Sequence, residues 1–348
     1  METRKLQEVG GGTFTVSIPK GWAKRHGFEV GMELRLYTHC DGSILVRSSA
    51  ADVDRLDEAT IEIDAGDDGG PEAVRRAVRT AHAVGFETVT LRRAEGFSDA
   101  ERRAARSAVR GLVGTNVFGE SDAEIAVRHL LDTSSVSVRQ SVVQLRYAVV
   151  SLLRDATEAL ADAADARSRI RDRADEARRS AEMVTRHFSR SLVSHAELDA
   201  LGVSRPELFA YYAVARRLEA VADQSVRIAG VGEKLSEALA DEAAADVRAV
   251  SDDVALAVDD AVTAVLDGDA VLDGDGAATR RARERCDDAA EGIESIERRL
   301  YDGAVPGPAS AAVALSDALA RLERAVDCAR SMAETAAGAA VRAANSDL

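Results

Sequence analysis

Aromatic residues make up only 4% of this 348-residue chain, which also has just five prolines and three cysteines. Scarce aromatics and prolines leave alanine, valine and leucine to fill the cores, a helix-rich composition. Cys40, Cys286 and Cys328 fall at no zinc spacing and build no disulfide framework. They read as small packed thiols, although Cys286 and Cys328 adjoin acidic motifs and would serve there as soft ligands. No run approaches 18 uninterrupted apolar residues, and residues 1–20 lack the basic-then-apolar layout of a secretory signal. The expectation is a cytoplasmic protein with no membrane insertion. Its length predicts two or three domains.

Lysine is the other shortage. There are four, and three of them (Lys5, Lys20 and Lys24) lie in the first 50 residues, the fourth being Lys234. The formal net charge of −15 excludes a surface that wraps nucleic acid all round. Residues 1–50 nonetheless hold seven Lys/Arg against five Asp/Glu, a net of +2 that leaves −17 for the rest. An acidic, lysine-poor, alanine-rich chain suits the high-salt cytoplasm of a halophilic archaeon; a GC-rich genome would also exchange lysine for arginine.

The first 50 residues read as short strands at 5–8, 14–18, 33–37 and 43–47 around one short helix. Gly10-Gly11-Gly12 turns the first pair, and Asp41-Gly42 the last. Pro19 opens the helix "KGWAKRH", and Gly27 ends it in a left-handed cap. Four short strands bury too little apolar surface to stand alone, so such a unit closes its core with a second copy. The stretch "TVSIPKGWAKRHGFEVGMEL" followed by "DGSILV" resembles the AbrB/SpoVT/MazE swapped-hairpin family over about 45 residues. Met32-Glu33 departs from that family's usual Gly-Asp. The resemblance implies a dimer that presents Arg4, Lys5, Lys20, Lys24 and Arg25 to DNA phosphates. The plainer reading is a dimerisation module with solvated cations.

Residues 51–132 alternate βαβαββ: strands at 59–64 and 86–93, helices at 69–85 and 98–112, then "TNVFGE" and "AEIAVRHL". Ser98 with Glu101 forms a capping box. The order suggests a small α/β domain, ferredoxin-like in outline, with two helices on one face. It holds no phosphate loop and no nucleophile motif, and serves as a connector or a small-molecule sensor.

From Ser134 the period is helical, over 136–163, 166–194, 204–232, 233–268, 275–302 and 308–344, with turn chemistry between. Long helices with short loops pack as antiparallel bundles, here 133–232 and 233–348. "LEAVADQSVRIAG" recurs as "LERAVDCARSMAE", 104 residues on, so that Glu219 and Asp223 correspond to Glu323 and Asp327. Each pair is spaced i, i+4, on one helix face, where like charges repel unless a cation lies between them. The second helices add Asp172, Asp175 and Glu176 in one half and Asp287, Asp288 and Glu291 in the other. Oxygen-only donors suit hard divalent or trivalent cations such as Mg, Mn, Ca or Fe, whereas zinc prefers His or Cys. The Glu-x-x-His of oxygen-activating di-iron sites is absent.

This doubled motif resembles the PhoU family of tandem three-helix bundles over about 210 residues. The family binds metal clusters through such motifs and helps shut down phosphate uptake and the phosphate-starvation response. The resemblance implies metal ligands at Glu219, Asp223, Glu323, Asp327, Asp287 and Glu291, with Asp175 the seventh. Arg178 stands where a later Asp is expected, and Gln224 and Gly230 replace residues commonly His and Glu. The first site is therefore depleted, or bridged by Arg178 as an internal counter-ion.

The expectation is a mainly α chain: tandem PhoU-like bundles preceded by a small β-rich AbrB-like module and a small α/β domain. It is not an enzyme. It acts as a dimeric, DNA-binding transcriptional regulator of phosphate uptake. The alternative is an adaptor that docks on the phosphate transporter without binding DNA.

Overall fold

The computed structural model describes residues 3–38, 42–48, 56–64, 69–267 and 277–344. The chain divides into two units, Met1–Asp54 and Arg55–Leu348.

In the first unit, β1 (Gln7–Val9) and β2 (Thr13–Thr15) form an antiparallel hairpin. It reverses through Gly10 and Gly11, whose φ of +68° and +75° suit glycine. Helix α1 (Lys20–Arg25) follows, and Gly27 leaves it at φ +72°. A second hairpin pairs β3 (Leu34–Thr38) with β4 (Ile44–Ser48); Cys40 and Asp41 lie outside the described residues. The hairpins are separate two-stranded ladders. Among the described residues of this unit no hydrophobic side chain is buried, and Leu6, Phe14, Val16, Leu36 and Ile44 are each more than half exposed. Isolated hairpins of this kind are marginal in water.

The second unit opens with an α/β layer: β5 (Glu58–Glu62), α2 (Pro71–Val84), β6 (Thr88–Arg92), α3 (Asp99–Arg110), β7 (Thr115–Glu120) and β8 (Glu124–His129). The strand order is β5-β6-β8-β7, with β5 parallel to β6 and the other pairs antiparallel. This corrects the ferredoxin-like expectation. That fold splits its βαβ unit by a strand between the parallel pair, which requires a strand directly after the second one. Here α3 follows β6, so β5-α2-β6 stays intact as neighbours. The tight β7–β8 turn then places β8 beside β6. Val74, Val78 and Ala81 of α2 and Ala105, Ala108 and Val109 of α3 pack on Val89, Leu91, Ile125 and Val127. Their i, i+4 and i, i+3 spacings are those of one helix face. Both bonds of the Ser98–Glu101 capping box are present.

A 3-10 turn (Thr133–Ser135) leads into α4 (Val138–Ala161), α5 (Arg167–Ser191), α6 (His195–Leu201), α7 (Arg205–Gly232), α8 (Asp241–Asp267), α9 (Ala277–Tyr301) and α10 (Ala309–Ala344). The described residues thus hold ten α-helices against small sheets, a mainly α chain. Helices α4, α5 and α7 pack on one another, as do α8, α9 and α10, while α7 meets α10 and α4 meets α8. One continuous apolar core runs through both triplets.

Two segments depart from the periodicity. The α6 turn is an added helix, and α8 begins at Asp241 rather than 233. The intervening chain buries Leu239, whose N–H donates to the Ala161 carbonyl at 2.9 Å. Just before it, a Cβ on Gly232 would lie 2.9 Å from the Leu160 Cα, so only glycine lets α7 end this close to α4. Among the described residues no helix is long and apolar enough to cross a membrane.

Candidate functional site

The α7 core residues Leu218, Val221 and Ala222 point inward and are buried. That registers Glu219 and Asp223 toward α5. There the Arg178 guanidinium lies 2.6 Å from Asp223, 2.7 Å from Asp175 and 3.4 Å from Glu219. Arg216 pairs with the other Glu219 oxygen. Burial works against the Arg178 charge, but Asp223, Asp175 and Glu219 outweigh it and raise its pKa. Beside them, burial and then the Glu219 charge lift the Glu182 carboxyl, against the pull of Arg79, Arg178 and Arg216. Three of the expected ligands, Asp175, Glu219 and Asp223, are therefore brought together, and what they surround is an arginine.

In the second triplet Leu322, Met332 and Ala333 are buried like Leu218, Ile228 and Ala229, 104 residues earlier. Glu323, Asp327, Asp287 and Glu291 are exposed. Arg330, on the same helix as the pair, lies 3.1 Å from Asp287 and 3.9 Å from Asp327. Asp288, Glu291 and Glu323 make no ion pair within 4 Å among the described residues. Burial pushes the Cys286 thiol up to about 11 and raises that of Cys328, so both stay protonated and packed rather than acting as thiolates.

Among the described residues no group of three or more His, Cys, Asp or Glu side chains is arranged to hold a metal ion. In the first triplet the guanidinium takes the position such an ion would need. In the second, the carboxylates are spread over an open surface and two of them share Arg330. Neither donor set, as arranged, fits a resident metal.

A third cluster has no counterpart in the sequence reading. Arg186 and Arg190 of α5 are buried against the C-terminal end of α2. Arg186 donates to the His82 and Phe86 carbonyls, both at 3.0 Å, and Arg190 to the Gly85 carbonyl at 2.7 Å. Two cations thus satisfy the orphan carbonyls at the negative end of the helix dipole. Gly85 is doubly required: its φ is +110°, and a Cβ there would meet the Arg190 side chain at 2.3 Å. Glu197 of α6 answers Arg190, accepting from it at 2.9 Å and meeting His187 Nδ1 at 2.5 Å, and Glu87 lies 3.3 Å from the same guanidinium. Burial, and then the Arg186 charge, lower both His82 and His129 to about 3. Burial, reinforced by Arg190, lowers Arg186 to about 10, still charged at neutral pH. Arginines at i, i+4 on a polar helix look like a solvated face in sequence; only the distant C-terminus of α2 makes them a core.

In the N-terminal unit, Lys20, Lys24 and Arg25 lie on α1, while Arg4 and Lys5 precede β1, and all five are exposed. Helix α1 has no acid in its first turn. An apolar concavity of about 890 Å³ opens beside it, lined by Ile18, Trp22, Phe28, Ile44 and Val46 with Arg25 at its wall.

Comparison with protein-family models and with characterised proteins gives no match to this chain.

Proposed function

We propose that the chain is a dimeric regulator of phosphate uptake and of the phosphate-starvation response, whose N-terminal module engages DNA and whose two helix triplets act as tandem three-helix bundles of the PhoU type. The observation that carries the DNA part is the coreless N-terminal unit. Its apolar residues stand exposed around a concavity, and its helix offers three exposed cations and no acid in its first turn. A second copy covers the apolar surface and doubles the cationic one. Support for the phosphate part comes from the acidic motif repeated at residues 219–223 and 323–327.

The test is binding of the full chain to DNA taken from upstream of phosphate-transporter genes, followed over a salt series. The expected result is a dimer in sedimentation, with an affinity that falls steeply with salt. Lys20→Ala/Lys24→Ala/Arg25→Ala should lose binding at least tenfold and flatten the salt slope by about one unit per phosphate contact removed, while remaining dimeric. Equal binding by the triple variant, or a monomer, overturns this reading.

One observation favours the adaptor as the second reading. The second triplet leaves Asp288, Glu291 and Glu323 exposed and, among the described residues, without an ion pair, an acidic face suited to basic loops of a transporter. Capture of the phosphate transporter by the full chain, lost on Glu291→Lys/Glu323→Lys and retained in the α1 triple variant, would establish it.

A further inference from the structure

Against the acidic whole, the outer side of the α/β layer is basic. A cavity of about 590 Å³ opens between α2 and α3, with Arg75, Arg103, Arg106 and Arg110 among its lining residues and no acid among them. Two of these arginines are already engaged: Arg75 pairs with Glu72 at 2.6 Å and Arg106 with Glu120 at 2.8 Å. Arg103 and Arg110 are exposed and have no carboxylate partner among the described residues. Two guanidinium groups without a carboxylate partner among the described residues, lining one concavity in a chain of net charge −15, are a local reversal of sign.

Topology adds to this charge. Strand β6 runs parallel to β5, and β7 runs with β6 because both are antiparallel to β8. Helices α2 and α3 therefore return in the same direction and begin at the same end of the layer. Pro71 and Ala100, in their first turns, both line the cavity; Ser98 and Glu101 already cap α3, whereas Gly70 gives α2 no side-chain cap, so the positive pole of α2 reinforces the arginines. Ala100 and Pro71 offer apolar surface, and Ser107 adds a hydroxyl.

We propose that this cavity binds a nucleotide bearing two or more phosphates. A single inorganic phosphate would occupy little of it, since cavities of this size accommodate whole small-molecule ligands. Guanidinium forks pair bidentately with phosphate and stack on planar bases, which the apolar surface also receives. Arg103 and Arg110 hold the phosphates, with Arg75 and Arg106 exchanging part of their pairing to Glu72 and Glu120.

The test is calorimetric titration of the full chain with ATP, ADP, AMP, inorganic phosphate and a single-stranded oligonucleotide at fixed ionic strength. The expected order is ATP and ADP tighter than AMP by at least tenfold, with inorganic phosphate weaker still. Arg103→Ala/Arg110→Ala should weaken ATP at least tenfold with an unchanged melting temperature, because both side chains are exposed. Lys20→Ala/Lys24→Ala/Arg25→Ala should bind ATP like the parent, which separates this site from the DNA module. No saturable ATP binding at millimolar concentration, or equal binding by the double variant, overturns the proposal. Tighter binding of the oligonucleotide through Arg103 and Arg110 also overturns it, in favour of a nucleic-acid surface.

Discussion

The acidic pair on α7 and the pair on α10 stand 104 residues apart on equivalent faces, yet they meet different neighbours. On α7, Glu219 and Asp223 close on Arg178, which reaches across from α5 and is less than one-third exposed. On α10, Glu323 and Asp327 face solvent, and Arg330 of the same helix lies 3.9 Å from Asp327. The first triplet also docks the α/β layer through Arg186, Arg190 and Glu197; among the described residues the second makes no such buried ion-pair junction with it. Two copies of one helical pattern have thus been given different electrostatic roles. One has its charges satisfied internally and carries the adjoining layer. The other keeps its charges outward, where a partner can use them.

The largest way to break this contrast is at the buried junction. Glu197→Ala leaves buried Arg190 with only the Gly85 carbonyl and the half-exposed Glu87 at 3.3 Å, and removal of one partner from a buried pair costs about 3–5 kcal/mol. Urea denaturation should show that loss.

Acid should act on the same junction. The folded pKa values of His82 and His129, near 3, lie below the unfolded value of 6.5. The unfolded chain therefore binds more protons between these limits, and stability falls as pH drops through 6.5. At pH 5 the difference for His82 is about 2 kcal/mol. Glu197, held below its usual pKa, adds to the loss only in the more acidic range near and below its ordinary value. Melting temperatures measured from pH 7 to pH 5 should fall, and His82→Gln/His129→Gln should flatten the slope.

Next in size is Arg178→Met, which leaves Asp175, Glu219 and Asp223 facing one another beside Glu182. The exposure of the site brings the expected loss to about 2 kcal/mol, below that of a fully buried pair. If the guanidinium stands in a cation's place, millimolar Mg²⁺ or Ca²⁺ should recover part of the lost melting temperature in this variant and leave the parent unchanged. An equal response in both proteins would remove the link between Arg178 and cation binding.

What could be read from the chain follows from the range of the physics. Helix faces, the Ser98–Glu101 box, the Gly27 stop and the 104-residue repeat are set by neighbours within a few residues, and the periodicity carries them. Arg178 was visible as the odd residue in an otherwise acidic set. The strand order was not, because the place of β8 beside β6 depends on partners more than 30 residues apart. Nor was the Arg186–Arg190–Glu197 core, whose meaning comes from an α2 terminus a hundred residues upstream. The late start of α8 was hidden for the same reason: Leu239 answers to Ala161, not to its own helix.

The smallest expected effect is the most informative about function. Glu323→Gln/Asp327→Asn removes two exposed charges that repel each other at i, i+4, so stability should change by no more than about 0.5 kcal/mol. Elemental analysis of protein purified without chelator or histidine tag should then give the same metal content for parent and variant. Metal at one equivalent, lost in the variant, would mean that Glu323 and Asp327 close with Asp287 and Glu291 around an ion in solution. The asymmetry between the triplets would then be that of a guanidinium in one and a metal in the other. With no such metal, the outward carboxylates of α9 and α10 are a protein-facing surface, and loss of a bound partner becomes the readout by which the two triplets differ.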